Sequence, residues 1–151
     1  MEFRKILLPV DGSVNSEQTI EYALRIAETE KAELIILNVI DSKRFTSLPD
    51  ESFENPDEVT AESEGERIIN RVKKLIEEKA DDDCNIKIST IAVEGNPAET
   101  ILKTATIKEA DMIVIATSGK HMINRFLLGS VTEKIIRQSK IPILVVPPLD
   151  D

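Results

Sequence analysis

Five short, nearly continuous apolar runs, at 3–10, 34–40, 86–93, 112–117 and 141–146, alternate with longer segments whose apolar residues recur every three or four positions. A run rich in Ile, Leu and Val reads as a strand buried on both faces; a 3.6-residue period reads as a helix with one buried stripe. Ile20, Ala23, Leu24 and Ala27 mark a first helix, and Ile68, Ile69, Val72, Leu75 and Ile76 a second. Ala98, Ile101, Leu102 and Ala105 mark a third, and Val131, Ile135 and Ile136 a fourth. Few folds accept this order, because parallel strands need crossovers and the crossovers are right-handed. The sequence therefore predicts an α/β fold, a three-layer α/β/α sandwich around a doubly wound, five-stranded parallel sheet. At 151 residues, 41% of them apolar, the chain is expected to form a single domain over 1–151.

Local signals support the frame. Asn96, Pro97 and Glu99 supply a cap, a proline at the first helical position and an early carboxylate. Ser130 and Glu133 have the spacing of a capping box for the fourth helix, and Arg137 and Lys140 complement its C-terminal end. The segment 41–57, with Pro49 and Pro56 and no clear period, is expected to be a flexible loop or a lid. The acid-rich windows 50–57 and 58–66 read as solvated surface. The last run is too apolar for an uncovered sheet edge, so a partner chain is expected over it.

Charge and composition exclude several functions. With 19 Lys+Arg against 28 Asp+Glu the formal charge is -9, which repels a phosphate backbone at long range. Four Phe, one Tyr and no Trp cannot build a row of base-stacking platforms, so nucleic acid is not expected as a partner. The lone Cys84 forms no internal disulfide, which suits a cytoplasmic setting. The N-terminal apolar stretch, interrupted by Pro9, is too short for a leader or a spanning helix, and no membrane association is expected.

In an open parallel sheet, ligands bind outside the carboxyl ends of the strands, where strand order reverses. Four segments occupy such positions: 9–13, 39–41, 95–97 and 116–130. They contain Gly12, Gly95, Gly119 and Gly129, four of the five glycines; Gly65 lies elsewhere. Ala116 to Gly119, nine further residues and then Gly129-Ser130 at a helix start combine close backbone approach with the donor-rich end of a helix. The window 117–140 carries +4 against -13 for the rest of the chain, a local field suited to an anion. Neither a Walker A loop nor Gly-x-Gly-x-x-Gly is present. The bland alternative is that these residues make turns and caps and that Asp11-Gly12 is a simple turn.

Ile6 to Ser13 (ILLPVDGS), Val39, Gly95-Asn96-Pro97-Ala98 and Gly129-Ser130-Val131-Thr132-Glu133 together resemble the nucleotide-binding branch of the universal stress protein family, over essentially the whole chain. That family's ATP motif is Gly-x2-Gly-x9-Gly-[Ser/Thr]; this chain reads Ala116-x2-Gly119-x9-Gly129-Ser130, with alanine at the first glycine. The resemblance implies an adenine nucleotide alpha hydrolase-like fold and ATP, or AMP or ADP, as ligand. It implies adenine recognition by backbone at Val10 and Val39, and Asp11 at the ribose or at a phosphate-bound Mg or Mn. Ala116, Gly119, Gly129, Ser130 and Val131 would surround ribose and phosphates, with Pro9, Ile115, Lys120 and Thr132 completing the site. Thr117 and Ser118 either add hydroxyls or satisfy local backbone. A homodimer through strand 142–147, an unidentified protein partner and a regulatory or signalling role in a stress response also follow from it.

An enzyme is the alternative: a slow ATPase or phosphotransferase using His121, Asp11 or a metal-bound water. No catalytic residue is assigned, since His121 has no orienting partner visible in the sequence. A nucleotide-free dimeric scaffold is the third reading. Cys84, among Asp81, Asp82 and Asp83, sits where carboxylates disfavour a thiolate and reads as inert.

Overall fold

A computed structural model of the chain describes residues 1–13, 16–41, 61–117 and 128–148. Its elements are β1 (Lys5–Val10), α1 (Ser16–Glu30), β2 (Glu33–Asp41), α2 (Ala61–Lys79), β3 (Ile88–Gly95), α3 (Pro97–Ile107), β4 (Met112–Ala116), α4 (Ser130–Gln138) and β5 (Ile143–Val146). All four recorded strand pairings are parallel, and the sheet order is β3-β2-β1-β4-β5. The predicted architecture is the observed one. Strand order reverses between β1 and β4, and β3 and β5 form the two edges.

Alternation along each strand divides the core. Ile6, Leu8, Val10, Leu34, Ile36, Ile40 and Val114 pack on the face that carries Leu24 of α1 and Ile68, Val72 and Ile76 of α2. Leu7, Ile35, Leu37, Ile113 and Ile115 pack on the other face, with Ile101 of α3 and Ile135 of α4. Strands covered on both sides need no polar face, so the runs are continuous rather than alternating.

Three local expectations are corrected. The N-cap of α4 is Gly129, not Ser130, and no side chain bonds there; Glu133 pairs with Arg137 at 2.9 Å instead of closing a capping box. Ser130 is thus one residue inside the helix, where a capping hydroxyl cannot work. Ile136, expected in the core, is 43% exposed, while Ile135 beside it is fully buried. The acid-rich window 58–66 is not all solvated: Glu64 is buried. By contrast, Asn96 caps α3 as expected, its side chain accepting from Glu99 N–H at 3.1 Å, with Pro97 at the first helical position.

Gly65, which the motifs left unexplained, is a packing residue. A β-carbon there would stand 3.1 Å from Ala92 Cβ and 3.3 Å from Asn38 Oδ1. Its absence lets α2 lie close against β2 and β3, despite the roughly 0.5–1 kcal/mol that glycine costs inside a helix. Asp41, expected to open the 41–57 segment, belongs to β2, and 42–60 lie outside the described residues.

Candidate functional site

The β1–β2 ladder continues to the end of β1, at Val10↔Asn38, and β4–β5 runs to Ala116↔Val146. Between β1 and β4, register is recorded only for Ile6↔Met112 and Leu7↔Ile113. Chemistry explains the stop. Asp111 N–H donates to the Lys5 carbonyl, so odd residues of β1 turn their backbone toward β4. Pro9 is the next such residue after Leu7 and has no N–H to offer. The β1–β4 ladder thus ends before the carboxyl ends of the two strands, at the point of strand-order reversal, where a ligand crevice is expected.

One wall is the end of β1. Asp11 follows the strand, and its Oδ1 accepts from Ser13 N–H at 2.9 Å, an Asx turn. Gly12 has φ +82°, and a β-carbon on it would stand 3.1 Å from Ile68. The positive φ favours glycine there, and a β-carbon would also press on the Ile68 side chain, so the Asp-Gly pair is a turn as well as one wall of the candidate site. The Val10 carbonyl accepts from Asn38 Nδ2 at 2.8 Å. Asn38, fully buried within the aliphatic run 34–40 of β2, was not singled out by any motif. Val39, the following residue, packs toward the α3–α4 face.

The other wall is the junction of β4 with α4. Thr117 N–H donates to the Val146 carbonyl at 3.1 Å, and Gly129 N–H to the Thr117 carbonyl at 2.8 Å, so the start of α4 is fastened to the end of β4. The first bond of the helix is Glu133 N–H to Gly129 carbonyl at 2.9 Å. The N–H groups of Ser130, Val131 and Thr132 precede it and are the orphan donors of the first turn. Thr132 is buried, its hydroxyl donating to the Ala116 carbonyl at 2.8 Å. Its hydroxyl hydrogen is therefore committed to the protein, and what Thr132 can offer an anion is its backbone N–H.

Ala116 closes β4 in regular pairing with Val146, and the non-glycine residues with positive φ among those described are Lys31 and Glu109. The backbone at this first motif position therefore makes no demand for glycine. Ile115 is buried under α3 and α4, and Pro9 is half-buried at the end of β1. Gly95, Asn96 and Pro97 lie at an edge strand, where Asn96 serves as a helix cap. Ser118, Gly119, Lys120 and His121 fall outside the described residues.

Local charge is less free than the sequence suggested. Lys134 pairs with Glu99 at 3.5 Å and Arg137 with Glu133 at 2.9 Å, so two cations of the basic window answer acids on α3 and α4. Positive potential at the described part of the crevice comes instead from the exposed N–H groups and dipole of α4.

Comparison with known proteins bears on the family and the fold. The model of the Universal stress protein family matches residues 2–147. Universal stress protein MJ0531 of Methanocaldococcus jannaschii is 40% identical over 145 residues, covering 95% of this chain and 82% of the relative. The solved structure of protein MJ0577 from the same organism superimposes with a TM-score of 0.80 at 32% identity, covering all of both chains. A universal stress protein in complex with cAMP superimposes with a TM-score of 0.64 at 22% identity, covering 97% of this chain and 98% of the other.

Proposed function

This chain belongs to the universal stress protein family, and from that premise we propose that it binds ATP, ADP or AMP in the β1–β4 crevice as a nucleotide-dependent regulatory module. The observation that carries the reading is the pair of walls just described: a carboxylate on a fixed turn at one strand end, and the free amides of a helix start at the other. A carboxylate accepts from ribose hydroxyls, while first-turn N–H groups and their dipole favour phosphate oxygens. The cAMP bound by a protein of the same fold has the same adenine, ribose and phosphate chemistry.

Val39 and Val10 would line the adenine end, and Gly129, Ser130, Val131 and Thr132 the phosphate end. Gly119 and Lys120 would complete the latter. Among the described residues no three His, Cys, Asp or Glu gather as a metal cage. A magnesium or manganese ion nevertheless fits Asp11, because hard cations take phosphate oxygens and waters and need only one or two protein carboxylates. When bound, the ion would neutralise phosphate charge. The chain's own part is to hold the Asp11 oxygen and the helix amides on opposite sides of the nucleotide.

Bound nucleotide shifts a conformational or partner equilibrium only by its differential affinity for the two states. A second copy of the chain paired along β5 is the partner we favour, since Ile143, Leu144 and Val145 lie half-buried on an edge strand. A cytoplasmic setting fits the lone cysteine.

With one Tyr and no Trp the protein absorbs little in the near ultraviolet, so nucleotide carried through purification dominates absorbance near 260 nm and is identifiable after denaturation. Calorimetric titration with ATP, ADP and AMP in the presence of magnesium completes the test. Absence of both retained nucleotide and binding heat overturns the proposal.

A further inference from the structure

We infer that Asn38 is a positioning residue of the nucleoside end of this site: held in the core of β2, it adds a side-chain donor to the Val10 carbonyl at the last rung of the β1–β2 ladder and so fixes the peptide from which the Asp11 N–H and side chain leave the strand. The inference rests on the nucleotide reading above and adds to it a residue that touches no ligand.

Asn38 is fully buried, flanked along β2 by Ile35, Ile36, Leu37 and Ile40. Its Nδ2 donates to the Val10 carbonyl at 2.8 Å, while its Oδ1 has no partner among the described residues. Flipping the amide would set oxygen against oxygen, so the donor must face Val10. A buried amide with one unanswered acceptor is a poor choice for stability, since an aliphatic residue of similar size avoids the desolvation cost. Gly65 deepens the point. Its missing β-carbon would lie 3.3 Å from Asn38 Oδ1, so α2 also accommodates this side chain.

The consequence follows from peptide geometry. The Val10 carbonyl and the Asp11 N–H share one trans plane and point in opposite directions. The β1–β2 ladder, in which even residues of β1 turn their carbonyls to β2, already directs the Val10 carbonyl that way; Asn38 Nδ2 adds a second donor at this last rung and so holds the Asp11 N–H toward β4, where the β1–β4 ladder has ended. The same plane sets the direction in which Asp11 leaves the strand, ahead of its own bond to Ser13 N–H.

The test is Asn38→Leu, which keeps side-chain size and removes the donor. Adenosine and ATP with magnesium are titrated into both proteins, and unfolding of the nucleotide-free proteins is followed by calorimetry. Affinity for adenosine and for ATP should fall by the same factor, about tenfold, with Tm unchanged or raised; tenfold corresponds to about 1.4 kcal/mol. Equal affinities in the two proteins overturn the Asn38 role and leave the nucleotide reading standing. Loss of binding that only follows a lowered Tm also overturns it. If the native protein binds neither ligand, both readings fail. Should the variant not fold, the native protein decides: its Asn38 side-chain amide signals should be protected from exchange and move on saturation with ATP, and signals that stay still overturn the inference.

Discussion

The two walls of the crevice solve one problem in opposite ways. At β1, the ladder to β2 turns the last strand carbonyl away from the opening, Asn38 fastens it there, and an amide N–H is left on the β4 side. At β4, the Thr117 N–H is drawn outward to Val146, so the Ala116 carbonyl in the same peptide plane faces inward, and the Thr132 hydroxyl covers it. One wall keeps its acceptor in the sheet, doubly held, and the other caps it with a hydroxyl. Both leave the carboxyl ends of neighbouring strands richer in donors than bare strand ends, which carry carbonyls. A polyanion benefits from either device, because an uncovered carbonyl oxygen repels phosphate oxygens.

The comparison can be broken most severely at the β1 wall. Gly12→Val places a β-branched residue at φ +82° and drives its side chain into Ile68. Backbone strain and overpacking each cost about 1–3 kcal/mol, so thermal unfolding should show a loss of roughly 3 kcal/mol together with loss of nucleotide binding. An unchanged Tm would mean that the Asp11 turn is not the fixed element described.

A smaller effect separates the walls. Thr132→Val preserves shape and removes the hydroxyl, leaving the Ala116 carbonyl uncovered in the crevice. Stability should fall by about 1 kcal/mol, the usual net contribution of one lost hydrogen bond. Titration should show weaker ATP binding with adenosine binding unchanged, whereas Asn38→Leu weakens both equally. Identical profiles for the two variants would erase the distinction between a nucleoside wall and a phosphate wall.

The smallest effect sharpens the contrast from outside. Glu33 begins β2, at the end of the sheet away from the crevice, and its carboxyl titrates below its ordinary value. The Ser89 hydroxyl bond is the main cause; partial burial opposes it, and Lys87 and Lys5 add to it. A depressed folded value means that stability is present above the ordinary carboxylate range and lost as pH falls through the depressed value. Glu33→Gln should flatten that acid limb by less than about 1 kcal/mol and leave nucleotide affinity unaltered. A change in affinity would show that the two ends of the sheet are coupled.

How far the site was legible depends on what each residue does. Asp11-Gly12 was visible because a turn dipeptide ending an apolar run is a local signal, and the observed φ confirms the turn. Pro9 was visible as a residue, but its effect on the β1–β4 ladder required knowing which strand lies beside it. Ser130 was misread as a cap, since Ser-x-x-Glu spacing is equally compatible with a helix that starts one residue earlier. Glu64 was misplaced because an acid-rich run reads as solvated surface, and Ile136 because periodicity gives only a stripe; what covers either is set by neighbouring elements. Asn38 gave no signal at all, a single polar residue in an aliphatic run having no pattern of its own.

By itself, the sequence determined the layers, the strand count and the parallel sheet, because hydrophobic periodicity and crossover handedness are properties of the chain order. It also determined where glycine and proline would interrupt regular backbone. Only the tertiary structure decided that β1 lies beside β4, that their ladder ends at Leu7↔Ile113, and which side chains hold the carbonyls at that opening. Those facts join residues 28 and 16 positions apart, and a hydrogen bond between distant residues exists only once packing has brought donor and acceptor together.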